Sequence, residues 1–172
     1  IYFVADNGTN GKELWVYDPN SPTSISNPSM VVDINSGANS SNPISLISFR
    51  NKLYFIVANG LYMYDPTNPS STVGTNPSIP DNNLLIMDNS AGASDRIKKI
   101  DDKIYFLAKD STVPANTFQL FEIDSSGTLT KLTTDLPQLN ALFSYRVYKI
   151  SKLLGEIYIM TGESRMNSYS TF

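Results

Sequence analysis

The chain has no cysteine and no histidine. Without cysteine there is no disulfide framework, no thiolate metal site and no cysteine nucleophile. Without histidine the usual general base, the commonest zinc ligand and the near-neutral pH switch are all missing. Carboxylate, lysine and tyrosine chemistry are what remains. Charge is sparse too: 17% of residues are charged, against roughly 25% in a typical soluble domain. Asn, Ser and Thr fill the gap, a pattern found in secreted and cell-surface β-proteins. Net charge is −3, so no basic field gathers phosphates, and nucleic acid and anionic membranes are set aside as partners. No apolar run approaches the roughly 20 residues of a membrane-spanning helix. The chain opens on a strand pattern with neither an initiator methionine nor a signal-peptide pattern, which reads as a processed product or an excerpt of a longer protein.

What is present is a repeat. The phrase Ile1-Tyr2-Phe3-Val4-Ala5 returns as Leu53-Tyr54-Phe55-Ile56-Val57, Ile104-Tyr105-Phe106-Leu107-Ala108 and Ile157-Tyr158-Ile159-Met160-Thr161, at intervals of 52, 51 and 53 residues. A period of about fifty residues marks an array of supersecondary units that bury apolar faces against one another. Hydrophobic residues, 41% of the 172, are enough for such a core and too many for a disordered chain.

Each unit divides into short β-prone runs. The second has Ile44–Phe49, Lys52–Ala58, Leu61–Asp65 and Leu84–Asp88, with a type I′ hairpin expected at Asn59-Gly60 because that turn needs positive φ at both central residues. The third has Arg96–Ile100, Lys103–Lys109, Phe118–Asp124 and Thr128–Asp135. The first begins directly with Ile1–Ala5, then Glu13–Asp18 and Met30–Ile34, and the fourth offers Tyr145–Ile150 and Glu156–Thr161. Helical turns are conceivable only at Leu136–Ser144 and Ser151–Leu154. In Leu53–Val57 neither alternating set is polar, so this strand should be buried on both faces. The expectation is an all-β chain, a β-propeller of four-stranded antiparallel blades seen as a partial arc of a larger ring. A two-layer sandwich would show cleaner alternation. The domain reading is a single repeat domain over 1–172: a partial first blade at 1–34, blades at 44–88 and 95–135, a partial fourth at 143–163 and a polar tail at 164–172.

The first unit carries Gly11-Lys12-Glu13-Leu14-Trp15-Val16-Tyr17-Asp18 and later Val31-Val32-Asp33-Ile34-Asn35-Ser36-Gly37. These resemble the bacterial repeat family named for its Glu-Leu-Trp-x-x-Asp-Gly-Thr signature. The match weakens in Gly60-Leu61-Tyr62-Met63-Tyr64-Asp65 and Gln119-Leu120-Phe121-Glu122-Ile123-Asp124, which keep the strand without Glu and Trp, and Pro19-Asn20 replaces the signature's Gly-Thr. The resemblance implies a secreted or envelope-associated bacterial protein with propeller-like blades and carries over no catalytic residue.

Candidate residues each have two readings. Asp6-Asn7-Gly8-Thr9-Asn10-Gly11 could hold calcium, although one carboxylate is few for that ion. It also reads as a hairpin whose Asx side chains bind their own backbone. Asp18, Asp65 and Asp124, and likewise Asp33, Asp88 and Asp135, recur at strand ends, as a carboxylate ring or as turn caps, and a position repeated in every unit favours the caps. Tyr2, Tyr54, Tyr105 and Tyr158 with Phe3, Phe55 and Phe106 read as inter-blade core. Trp15, Tyr17, Tyr62 and Tyr64 read as edge packing or as a glycan or peptide platform. Two inserts, Pro19–Ser29 and Pro66–Asn83, fall after third strands, as binding loops or as proline-stiffened decoration.

No residue is assigned a catalytic, cofactor or metal role. The expected function is a non-catalytic, extracytoplasmic interaction or structural module, an accessory component of a bacterial surface or envelope assembly. Its partner would be a protein or a larger assembly, with a glycan as the lesser option. The rivals are a glycan hydrolase or lyase with paired carboxylates and a calcium-stabilised adhesin.

Overall fold

The structure, a computed structural model, describes residues 1–24, 26–58, 60–68, 85–86, 97–109, 119–132 and 145–163. Every regular element among them is a β-strand: β1 Tyr2–Asp6, β2 Lys12–Val16, β3 Ser29–Val32, β4 Ile44–Phe49, β5 Lys52–Val57, β6 Gly60–Tyr64, β7 Leu85–Ile86, β8 Ile97–Ile100, β9 Lys103–Lys109, β10 Gln119–Ile123, β11 Leu129–Lys131, β12 Tyr145–Leu153 and β13 Glu156–Glu163. Ser151–Leu154 is not helical. Ser151 to Leu153 extend β12, and Leu154 and Gly155 turn into β13 with φ of 50° and 90°, the two positive values a type I′ turn requires.

The strands form antiparallel meanders: β1-β2-β3, β4-β5-β6, a third sheet of β8-β9-β10-β11, and the β12-β13 hairpin. Leu85–Ile86 departs from the expected assignment. The sequence order assigns the run to the second unit, but β7 pairs with Lys109 and Ala108 of β9. The cause is strand length: β8 covers β9 only from Lys103 to Phe106, and β7 takes up backbone groups left open beyond it.

One register is common to three sheets. Phe3 lies opposite Trp15, Phe55 opposite Tyr62 and Phe106 opposite Phe121, although the connecting segments are five, two and nine residues long. Constant register across such different connections means the aromatic pair, not the turn, sets the alignment. This moves the hairpin expected at Asn59-Gly60. Val57 pairs with Gly60, Ala58 takes φ of 50°, and Gly60 is already strand. A turn at 59–60 would have set Phe55 against Tyr64 instead of Tyr62. Glycine at 60 leaves room for the Tyr62 ring: a Cβ there would lie 3.1 Å from it, a tight approach.

Because paired residues share a face and neighbours along a strand alternate, each of the first three sheets has a trailing face with the aromatic pair and a leading face with the Tyr of the phrase, and in the hairpin Ile150 and Ile157 lie on the face opposite Tyr158. The chain divides into two compact units, Ile1–Thr75 and Asn76–Phe172. In the first, Leu53 and Phe55 from the second sheet's trailing face pack with Leu14, and Tyr2, Val31, Tyr62 and Tyr64 border this cluster. In the second, Tyr105, Leu107 and Leu120 of the third sheet's leading face pack with Ile150 and Ile157 of the hairpin. Each such buried side chain contributes about 1.5–3 kcal/mol. β5 is buried on both faces, Leu53 and Phe55 on one and Tyr54 and Ile56 on the other, none more than 4% exposed.

Candidate functional site

The repeated carboxylates close turns. After β2, β6 and β10 the chain makes the same turn three times. Asp18 Oδ1 accepts from the Asn20 N–H (2.9 Å), Asp65 Oδ1 from the Thr67 N–H (2.9 Å), and Asp124 Oδ1 from the Ser126 N–H (2.8 Å). In each the Asp carbonyl also accepts from the N–H three residues on, at Ser21, Asn68 and Gly127. Aspartate first and proline second, as in Asp18-Pro19 and Asp65-Pro66, suit a type I turn. The hydroxyls of Thr67 and Ser126 add bonds of 2.6 Å, and these hold the Asp65 and Asp124 carboxyls below their ordinary 3.8. Lys52 stands 3.6 Å from Asp65 at the surface, where an ion pair is worth little.

The Asp6–Gly11 loop turns its oxygens inward. Asp6 Oδ1 accepts from the Gly8 N–H (2.7 Å), and Asn7 Oδ1 from those of Thr9 and Asn10 (2.9 Å each). Asn10 Oδ1 accepts from Asn7 Nδ2, and Asn10 Nδ2 donates to Asp33 Oδ2 (2.9 Å). Asp33 Oδ2 also accepts from the Gly37 N–H, while its Oδ1 is buried without a hydrogen-bond partner among the described residues. Among those residues no three Asp or Glu side chains gather to hold a metal. Asp88 and Asp135 lie outside the described residues.

Glu13 is the residue the sequence pattern did not single out. Its side chain is fully buried. Oε1 accepts from the Ser41 N–H (2.8 Å), and Oε2 from Ser41 Oγ (2.5 Å) and the Ile34 N–H (3.0 Å). The glutamate of Glu-Leu-Trp therefore clamps the segment that carries Asp33-Ile34-Asn35, which gives both halves of the motif one structural cause. Gly11 belongs to the same clamp: at φ of 67° its missing Cβ would lie 2.8 Å from the Asn39 backbone. A usable signal existed: a carboxylate followed by Leu14-Trp15-Val16 in a strand of a packed sheet calls for donors where it is buried.

The aromatic residues pack on one another. Tyr62 stacks on Phe55 (5.7 Å) and Tyr64 meets Tyr2 edge-on (5.9 Å). Trp15 sits between Phe3 and Met30 in the ladder, and its Nε1 is buried without a hydrogen-bond partner among the described residues. Tyr158 corrects the expectation of uniform burial: it is 49% exposed. On β13 it points away from the third sheet, opposite the face of Ile157 and Ile150, and no described strand covers it. The first insert is tied down at its end. Asn27 accepts from the Asp18 N–H (3.0 Å) and donates to the carbonyls of Asp18 (2.8 Å) and Ser21 (2.7 Å). Most of the second, residues 69–83, lies outside the described residues.

In the second unit Lys103 Nζ donates to both Glu122 oxygens at 2.8 and 3.0 Å, and Lys152 reaches Asp101 (2.5 Å). Both lysines are held above their ordinary 10.5 mainly by these bonds. An open groove of about 550 Å³, lined by Lys98, Ile100, Asp101, Ile150 and Lys152 among others, lies beside that second pair. Burial raises the phenols of Tyr2, Tyr54 and Tyr105. All these shifts lead away from neutrality. Compared with protein-family models, with curated proteins and with solved structures, the chain finds no match.

Proposed function

We propose that the chain is an arc of β-propeller blades that serves as a non-catalytic interaction or structural module outside the bacterial cytoplasm, as an accessory component of a surface or envelope assembly. The observation that carries this reading is the constant facing of the sheets. Where consecutive sheets pack within a unit, the Tyr-bearing face of one meets the opposite face of the next. Stacking with one sense and a period of about fifty residues is how blades build a ring. The mechanism is rigid display: turns closed by Asp18, Asp65 and Asp124, and an insert tied by Asn27, hold loops in set geometry for a partner.

The extracytoplasmic placement rests on the low charge, with Asn, Ser and Thr in its place, and on the likeness of Glu13-Leu14-Trp15 to the bacterial repeat. Among the described residues, Asp6, Asp18, Asp65 and Asp124 are committed to turn hydrogen bonds and Glu13 to the clamp, which leaves a glycan hydrolase or a calcium adhesin less to draw on. Three measurements test the reading. Protease added to cells of the source bacterium whose outer layers are permeabilised and whose cytoplasmic membrane is intact should cleave the protein, and cleavage only after that membrane is broken would overturn the placement. Purified chain incubated with a panel of envelope and plant polysaccharides should release no reducing ends. Release that is lost on substituting an aspartate would establish the hydrolase instead, and a melting point raised by calcium and lowered by chelator would establish the adhesin.

A further inference from the structure

The leading face of the last sheet carries, beside Ser151 and Glu156, the two most exposed large apolar side chains of any strand among the described residues. Leu153 is 60% exposed and Tyr158 49%, with Leu154 at 92% in the adjoining turn. Residues 153 and 158 lie on the same face, because Leu153 pairs with Glu156, two positions before Tyr158. The chain itself shows what covers such a face. Tyr2, on the equivalent face of the first sheet, borders a cluster built on Phe55 of the second sheet's trailing face, with Tyr62 packed alongside. Tyr105, on that of the third, is 8% exposed beneath Ile150 and Ile157.

The matching surface also occurs in the chain. On the trailing face of the first sheet, Phe3, Trp15 and Met30 lie in one row across β1, β2 and β3, and all three are half-buried. Phe3 opposite Trp15 is the same cross-strand pair as Phe55 opposite Tyr62, the pair that packs against the first sheet's leading face. One molecule thus presents both complementary halves of its own internal sheet-to-sheet interface. We propose that the Leu153–Tyr158 face docks the Phe3–Trp15–Met30 face of a second copy of this chain, a heterologous, head-to-tail contact that continues the internal packing. This rests on the blade reading above and adds the partner.

Sedimentation velocity on the 172-residue chain, from micromolar to millimolar, tests it. The wild type should gain mass with concentration. Leu153→Lys with Tyr158→Lys should weaken association by about thirtyfold or more, as loss of an interface anchor does, with an unchanged circular dichroism spectrum because both side chains are exposed. Phe3→Lys should do the same from the other face, and Met30→Lys replaces it if that variant misfolds. Mixing a variant of each face should restore one-to-one dimers, because each retains one intact half. A wild type monomeric throughout, as when the face awaits another repeat or an unrelated protein, overturns the proposal, and so does a mixture that stays monomeric. Either failure leaves the protease and polysaccharide outcomes untouched, so the docking and the blade reading fail separately.

Discussion

Tyr54 in β5 keeps 2% of its surface exposed and Tyr158 in β13 keeps 49%, though each follows an aliphatic residue at the same point of the same phrase. Leu53 and Ile157, their neighbours toward the N-terminus, do the same work, packing on a sheet within their own unit. The difference lies on the other face, which is buried at Tyr54 and open at Tyr158. A repeat therefore sets which way a side chain points and leaves its burial to whatever stands opposite. Features built within one strand pair or turn should behave alike at both places, and features that need a neighbour should not.

The largest expected effect breaks or upholds that distinction directly. Tyr54→Ala should lower unfolding free energy by about 3–5 kcal/mol, the usual loss for a buried aromatic. Tyr158→Ala, at concentrations where the chain is monomeric, should change it by no more than about 0.5 kcal/mol. Urea titrations of the two variants decide this, and equal losses would mean the two faces do not differ in solution. Gly11 and Gly8 repeat the contrast inside one loop. Both have positive φ, but a Cβ at 11 meets the backbone of Asn39 while one at 8 meets open space. Gly11→Ala should cost about 2–4 kcal/mol through strain and overpacking together, and Gly8→Ala about 1 kcal/mol through strain alone. Equal melting shifts would show that the 39–40 segment does not press on the hairpin.

How far the sequence disclosed this depends on whether a feature is local. All thirteen strands fall within a few residues of their expected places, because alternation and turn residues act over short range. The Asp18, Asp65 and Asp124 caps were legible for the same reason: acceptor and donors lie two to four residues apart. The Asn59-Gly60 turn was misjudged by following a local signal where the Phe55–Tyr62 pair, a contact between strands, decides the register. Leu85–Ile86 was misjudged because its ladder lies on β9, more than twenty residues onward. Glu13 was legible as part of a motif but not in its role, because its partners Ile34 and Ser41 stand 21 and 28 residues away. Tyr158 looked like core because nothing in its phrase reports what lies opposite.

Glu13 sharpens the comparison next. Its counterpart in the third unit, Gln119, is also buried, whereas the second unit has Gly60 at that place, so the carboxylate clamp is particular to the first unit. Glu13→Ala should cost about 2–3 kcal/mol, since it strands the Ser41 and Ile34 donors in the interior. Glu13→Gln, which retains one carbonyl oxygen, should cost less, and hydrogen exchange at the Ser41 and Ile34 amides should separate the two variants. Fast exchange in the wild type would mean that the clamp does not form.

The smallest effect belongs to the turn caps, where no neighbouring sheet takes part and the two regions should agree. Hydrogen bonds from Thr67 hold Asp65, and bonds from Ser126 and Thr128 hold Asp124, below the ordinary 3.8. A carboxyl whose pKa is lower in the folded than in the unfolded state binds fewer protons when folded. Its stabilising contribution is therefore complete above the unfolded value and is lost as pH falls through 3.8 toward the folded pKa. Asp65→Asn and Asp124→Asn keep an acceptor oxygen but cannot titrate. Each should flatten the acid limb of stability, measured as urea midpoints from about pH 6 down to about pH 2, and leave the profile above it parallel to wild type. If only one of the two flattened the limb, the caps would depend on their surroundings as Tyr54 and Tyr158 do, and the division between local and neighbour-dependent features would fail at its simplest case.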